Sequence, residues 1–296
     1  MEQSGKFRKI LLLLLLATAL AGLGVFLFRV YYNAPPLPRV GATAARFAGA
    51  SARRANFYKD PSVDISRIRV KMFYVVPKNK TQNPLWRETI TSALDQVVKF
   101  QSVQFRGLSQ IRYDIFPTPV LLRNEDSFYD TTSTNSGNPH GLVGVAQEID
   151  ERVFRVGGDF YNVDFAEFDK SEYPVMGLVY EGVGASGGVI YEAKLKTAKE
   201  IAEKLGVPES IVYIVDIGSV KGFFIINNQY LTADQYKIFG PTLLYHEFSH
   251  TIGLPDRFDD DDRPFSDDVT GSGRKESIDV TYIASDLLRD LGVIPD

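Results

Sequence analysis

Apolar positions fall along this chain in three patterns. Nineteen residues from Ile10 to Phe28 run without a charge, and six of the first seven are leucines. At 1.5 Å per residue such a helix would span about 28 Å, the thickness of a hydrocarbon core. Residues 33–55 show no sustained period and are rich in Pro, Ala, Gly and Arg, as expected of a stalk or linker. From about Ser66 onward the periods of folded elements appear. Ile68–Val76 predicts a strand. Asn83-Pro84 predicts a cap and first-turn proline for a helix burying Trp86, Ile90, Leu94, Val97 and Val98.

Further along, Tyr113–Leu122 predicts an edge strand, because Pro117 and Pro119 cannot donate to a ladder. Leu142, Val145, Ile149 and Val153 mark a helix. After them come a strand at Val175–Tyr180, a Gly-rich turn, a helix at Ala193–Leu205, a strand at Ile211–Ile217 and a closing helix at Tyr282–Leu291. The alternation predicts an α/β or α+β fold, a mixed sheet with helices followed by a smaller carboxy-terminal part poor in strands.

Charge assigns sides to this plan. Lys6, Arg8 and Lys9 precede the apolar run, which places 1–9 in the cytoplasm, 10–29 across the membrane as a signal anchor, 30–55 as a stalk and 56–296 outside. Ala19-Leu20-Ala21 leaves a cleaved signal peptide, and hence secretion, as the alternative. The formal charge is −4, with twelve acids against five bases from Asp256 to Asp296. No basic face invites nucleic acid. There is no Cys, so any metal must rest on His, Asp or Glu.

The informative segment is Tyr245-His246-Glu247-Phe248-Ser249-His250-Thr251-Ile252-Gly253-Leu254-Pro255-Asp256. His246 and His250 are four apart, so a helix presents both imidazoles on one face, as two ligands of a tetrahedral zinc require. Pro241 and Gly253 bound such a helix, and Leu243, Leu244, Phe248 and Ile252 would pack its other side. Glu247 lies beside the ligands, able to act as general base on water. Gly253 permits a sharp turn that would bring Asp256 back as third ligand. Glu276 is the competing carboxylate.

His-Glu-x-x-His-x-x-Gly-x-x-Asp resembles the extended motif of metzincin-like peptidases with an aspartate third ligand, such as the snapalysins. HEFSHTIGLPD is similar to the immune inhibitor A type of secreted peptidases. The resemblance covers about Leu243 to Gly292. It implies a zincin catalytic domain that hydrolyses peptide bonds of a protein or peptide substrate, with zinc on His246, His250 and Asp256 and Glu247 as the base. Two segments depart from the pattern. Arg257-Phe258-Asp259 replaces the usual Glu-Tyr-Asp, and Thr270 stands where a Met is expected beneath the zinc. These departures leave a catalytically impaired binding or structural protein as the alternative reading. Tyr282 is a candidate oxyanion stabiliser by the same resemblance.

The remaining motifs read as structure. His140 sits in a polar loop, and Arg274-Lys275-Glu276-Ser277 reads as a solvent-facing turn. Asp259–Asp262 with Asp267 and Asp268 is dense in calcium-type donors, yet its spacing fits no EF-hand loop. Gly182 to Gly187 is formally a G-x-G-x-x-G, but the next acidic strand end, Asp216, is too distant for a dinucleotide site.

Overall fold

Three apolar runs become the centre of one sheet. The computed structural model describes residues 53–130, 144–145, 148–149, 151, 171–183, 187–190, 220–259 and 263–295. These residues belong to a compact unit spanning 52–296. A short antiparallel pair opens it, β1 (Asn56–Phe57) and β2 (Asp60–Asp64). Next come β3 (Arg67–Val76), α1 (Trp86–Gln104), β4 (Gln110–Ile115), β5 (Val120–Leu121) and the single turn α2 (Asp126–Tyr129). Then follow β6 (Tyr173–Tyr180), β7 (Gly187–Ile190), β8 (Gly222–Asn227), the single turn α3 (Gln229–Thr232), α4 (Gly240–His250) and α5 (Ser285–Asp290).

The sheet runs β4-β3-β6-β8-β7, with β5 paired beside β3. All pairings are parallel except that of β7 with β8. Every residue of β3 but Arg67, and every residue of β6 and β8, is buried. Continuous apolar runs are what a parallel sheet covered on both faces needs. Val70, Met72, Val175, Phe224 and Ile226 face a core shared with α1 and α4. Phe73, Val75, Met176, Leu178 and Ile225 face a second core with Tyr129, Val145 and Ile149. Gly177 makes the first core possible, because a Cβ there would lie 2.1 Å from the Met72 sulfur.

Several sequence expectations need adjusting. The strand expected over Tyr113–Leu122 is two, β4 at the sheet edge and β5, separated by the segment holding Pro117 and Pro119. Asn83 does not cap α1 at its end. Its side chain accepts from Leu85 N–H at 2.9 Å in a turn ahead of the helix. The closing helix begins at Ser285 rather than Tyr282, because the backbone before it is already committed. Tyr282 C=O accepts from Val269 N–H, Ile283 N–H donates to the Gln104 side chain, and Ala284 N–H donates to Asp268. The Gly-rich turn leads into the edge strand β7, whereas a dinucleotide site needs a helix there to receive the pyrophosphate. The expected anchor 10–29, His140, the helix 193–205 and the strand 211–217 lie outside the described residues. Among the described residues no helix is long and apolar enough to cross a membrane.

Candidate metal centre

The helix α4 is fixed before any ligand is considered. Pro241 stands in its first turn, where a missing N–H costs nothing. Tyr245 is fully buried, packs edge-on against Phe100 at 4.5 Å and donates its hydroxyl to Gln101 at 2.6 Å. Phe248 meets Phe224 of β8 at 6.1 Å. Tyr173 of β6 donates to Thr251 C=O at 2.7 Å, tying the end of the helix to the sheet. These contacts lock the rotation of α4 and leave the imidazoles of His246 and His250 side by side, their rings 4.7 Å apart.

Gly253 then stops the helix at φ +93°, a value that side-chain-bearing residues rarely adopt. Phe57 closes over it, 2.6 Å from where a Cβ would be. The turn has a second effect. It places Leu254 C=O 2.8 Å from His250 Nδ1, while Val269 C=O lies 3.0 Å from His246 Nδ1. A carbonyl only accepts, so each Nδ1 carries the hydrogen and each Nε2 keeps its lone pair. Burial, with help from His250 and Arg274, pushes the His246 imidazole well below its ordinary pKa and keeps it neutral at pH 7.

Both free lone pairs aim at one place. Asp256 Oδ1 lies 3.3 Å from His246 Nε2 and 3.6 Å from His250 Nε2. Zinc with bonds of 2.0–2.1 Å holds adjacent tetrahedral donors about 3.3 Å apart, so these separations fit such an ion. The ligating atoms of His246, Glu247 and His250 also lie within 4.8 Å of one another, a group that could hold a metal ion. The Asp256 side chain is 55% exposed while that of His246 is 3% exposed, so one side of the centre opens to solvent. Glu247 is buried. Desolvation first, and the nearby Asp256 carboxylate second, raise its pKa to about 8 against a smaller opposing effect of Arg274.

The loop after Asp256 supports this arrangement. Asp268, fully buried, accepts from Thr270 N–H at 3.1 Å, Thr270 Oγ1 at 2.9 Å and Ala284 N–H at 3.2 Å, with Arg257 at 3.4 Å. Those bonds fix the Val269 carbonyl that orients His246. Thr270 is therefore a hydrogen-bonded part of the loop, and Arg257 is held by Asp268 and Asp286.

Other sequence candidates are placed elsewhere. Glu276 is exposed, and its backbone carbonyl, not its carboxylate, is used, by Thr242 at 2.7 Å. Tyr282 donates to Asp267. Of the calcium candidates, Asp259 binds Arg263, Asp267 and Asp268 are engaged as above, and 260–262 lie outside the described residues. Sequence reasoning missed four contributors: Val269, Asp268, Tyr230 and Arg274. The first two act through a carbonyl and a loop contact that leave no motif. The Arg274 charge opposes the rise of the Glu247 pKa, and the Glu247 carboxylate in turn helps to raise that of the Tyr230 hydroxyl.

The fold is a mixed α/β one, with a largely parallel sheet and helices, and its chemistry-bearing cluster is a metal-compatible group on α4. No family model matches the chain, and no curated protein matches it. Among solved structures, a similar one is the crystal structure of catalytically inactive OgpA from Akkermansia muciniphila in complex with an O-glycopeptide (glycodrosocin) substrate. The TM-score is 0.36 at 11% identity over 81% of this chain. The match spans 61% of that chain.

Proposed function

We propose that the chain is a membrane-anchored, outward-facing zinc endopeptidase, its anchor the apolar segment 10–29. The observation that carries the enzymatic reading is the approach of two oriented imidazole Nε2 atoms to one Asp256 oxygen, with Glu247 buried beside them. His246, His250 and Asp256 would hold the ion, leaving a position open on the solvent side. Zinc supplies Lewis acidity, making water more acidic and polarising a carbonyl. Glu247 accepts the proton of the attacking water at its carboxylate and returns it to the nitrogen of the leaving amine. Burial of Glu247 suits this task, because desolvation raises the pKa of its carboxyl above the ordinary carboxylate range and makes it a stronger proton acceptor. The fixed Nδ1–H bonds of both histidines keep the ligand set from rearranging during the cycle.

Metal analysis of the purified full-length chain, paired with cleavage of an unstructured protein, tests this reading. Stoichiometric zinc and chelator-sensitive cleavage are expected, with Glu247→Gln retaining zinc while losing about 100-fold or more of the rate. Absence of bound metal, or unchanged cleavage by Glu247→Gln, overturns it. Zinc bound without cleavage of any substrate would instead indicate a binding protein that keeps the metal.

A further inference from the structure

The loop that orients His246 also delivers an arginine to the edge of the centre. It doubles back tightly: a Cβ on Gly271 would lie 2.1 Å from Ser266 O, and one on Gly273 would lie 2.4 Å from Asp267 O. The turn Ser272–Lys275 follows and packs on α4. Thr242 Oγ1 bonds Glu276 C=O at 2.7 Å, and Thr242 stands one helical turn before His246 on the same face. The segment carrying Arg274 therefore runs along the metal-facing side of the helix. Far from being a solvent-facing turn residue, Arg274 is partly buried, with its guanidinium 4.1 Å from the ring centre of Phe258, two residues beyond Asp256.

Two arginines thus flank the centre, and they differ in partnership. Arg257 is taken by Asp268 and Asp286. Among the described residues, no carboxylate lies within ion-pair distance of Arg274. Its charge acts on His246, Glu247 and Tyr230. A guanidinium next to a cation site is repelled by the ion, and the arrival of an anion relieves that repulsion. A planar guanidinium stacked on an aromatic ring can still offer its N–H edge, which matches a carboxylate in two parallel hydrogen bonds.

We infer that Arg274, held against Phe258, binds a carboxylate of the substrate and gives the cleft a preference for peptides with an acidic group beside the scissile bond. The group is either an Asp or Glu side chain or a free terminal carboxylate. This inference rests on the peptidase reading and narrows its substrate class.

The test uses the full-length protein and neutral peptides in which one Glu or one Gln is stepped along the sequence, each made with a free or an amidated C-terminus. At the favoured position, kcat/KM for Glu should exceed that for Gln by about 10-fold, the scale of a charge-assisted bond. A terminal carboxylate as the source would appear as an acid-over-amide ratio instead. Arg274→Gln should bring the ratio close to one, chiefly through KM, and Arg274→Lys should restore part of it. A binding arm titrates Glu247→Gln with the same peptides, and the preference in Kd should disappear when Arg274→Gln is added. Equal ratios in the parent and in Arg274→Gln, or an equal fall for all peptides, overturn the inference; the latter would point to a structural or oxyanion role. Lack of any cleavage would count against the peptidase reading, while the binding arm would still decide on Arg274.

Discussion

At the scale of single residues, Glu247 is the most informative group. With its pKa at about 8 without an ion, it is mostly protonated at pH 7. A cation beside it favours the carboxylate, so zinc binding should release a proton. Calorimetry at pH 7 in buffers of different ionisation enthalpy should show close to one proton released, and Glu247→Gln should remove it. The sign for folding follows as well. The folded-state pKa is raised, so this group's contribution to stability is full below its unfolded value near 4.5 and is lost as pH rises through about 8. Chelator-treated protein should therefore lose stability between pH 5 and pH 8, and Glu247→Gln should flatten that slope. Asp268 shows how a residue can matter without touching the site. Asp268→Ala removes one of the two carboxylates that hold Arg257 and the acceptor that supports the Val269 loop, and should cost about 2 kcal/mol in denaturant unfolding. It should also weaken zinc binding about 10-fold or more through the loosened His246.

At the scale of elements, α4 and the turn after it act as one part. The histidine spacing, Pro241 and Gly253 mark this helix in the sequence, and it runs from Gly240 to His250. What spacing alone could not give is the rotation of the helix about its axis, which Tyr245, Phe248 and Tyr173 set through contacts with distant elements. Gly253→Ala probes the coupling between turn and ligand. The substitution meets a positive φ and the Phe57 ring, and should cost about 1–3 kcal/mol, read as a fall in Tm. Because the same turn carries Leu254 C=O and Asp256, zinc affinity should drop with it. Elsewhere the local pattern was a poorer guide. The stretch over Tyr113–Leu122 looked like one strand, and the helix expected from Tyr282 starts at Ser285, because backbone groups there bond to α1 and to Asp268.

At the scale of the whole molecule, the centre is assembled from three places in the sheet-and-helix framework: α4, the turn after it and the loop through Asp268–Thr270. An ion bound at their meeting point would stabilise the native state alone, because the unfolded chain has no preformed site. At free zinc 100 times the Kd the gain is about 2.7 kcal/mol. Thermal unfolding of the full-length chain should therefore shift upward with zinc and fall with chelator. His246→Ala should abolish the zinc-dependent shift, and a zinc response that survives this change would place the metal elsewhere.

The eleven residues from His246 to Asp256 determined by themselves which side chains could meet, because helical spacing and one glycine turn are local geometry. The apolar runs of β3 and β6 were likewise legible as strands, whereas β8 and the parallel pairing of all three came only from the structure. Only the tertiary structure decided that Asp256, rather than Glu276, approaches the two imidazoles, and that Val269 and Leu254 supply the carbonyls that fix their tautomers. It also stacked Arg274 on Phe258. The bond from His246 to Val269 joins residues that chain distance separates, and its geometry comes from packing, which no short pattern encodes.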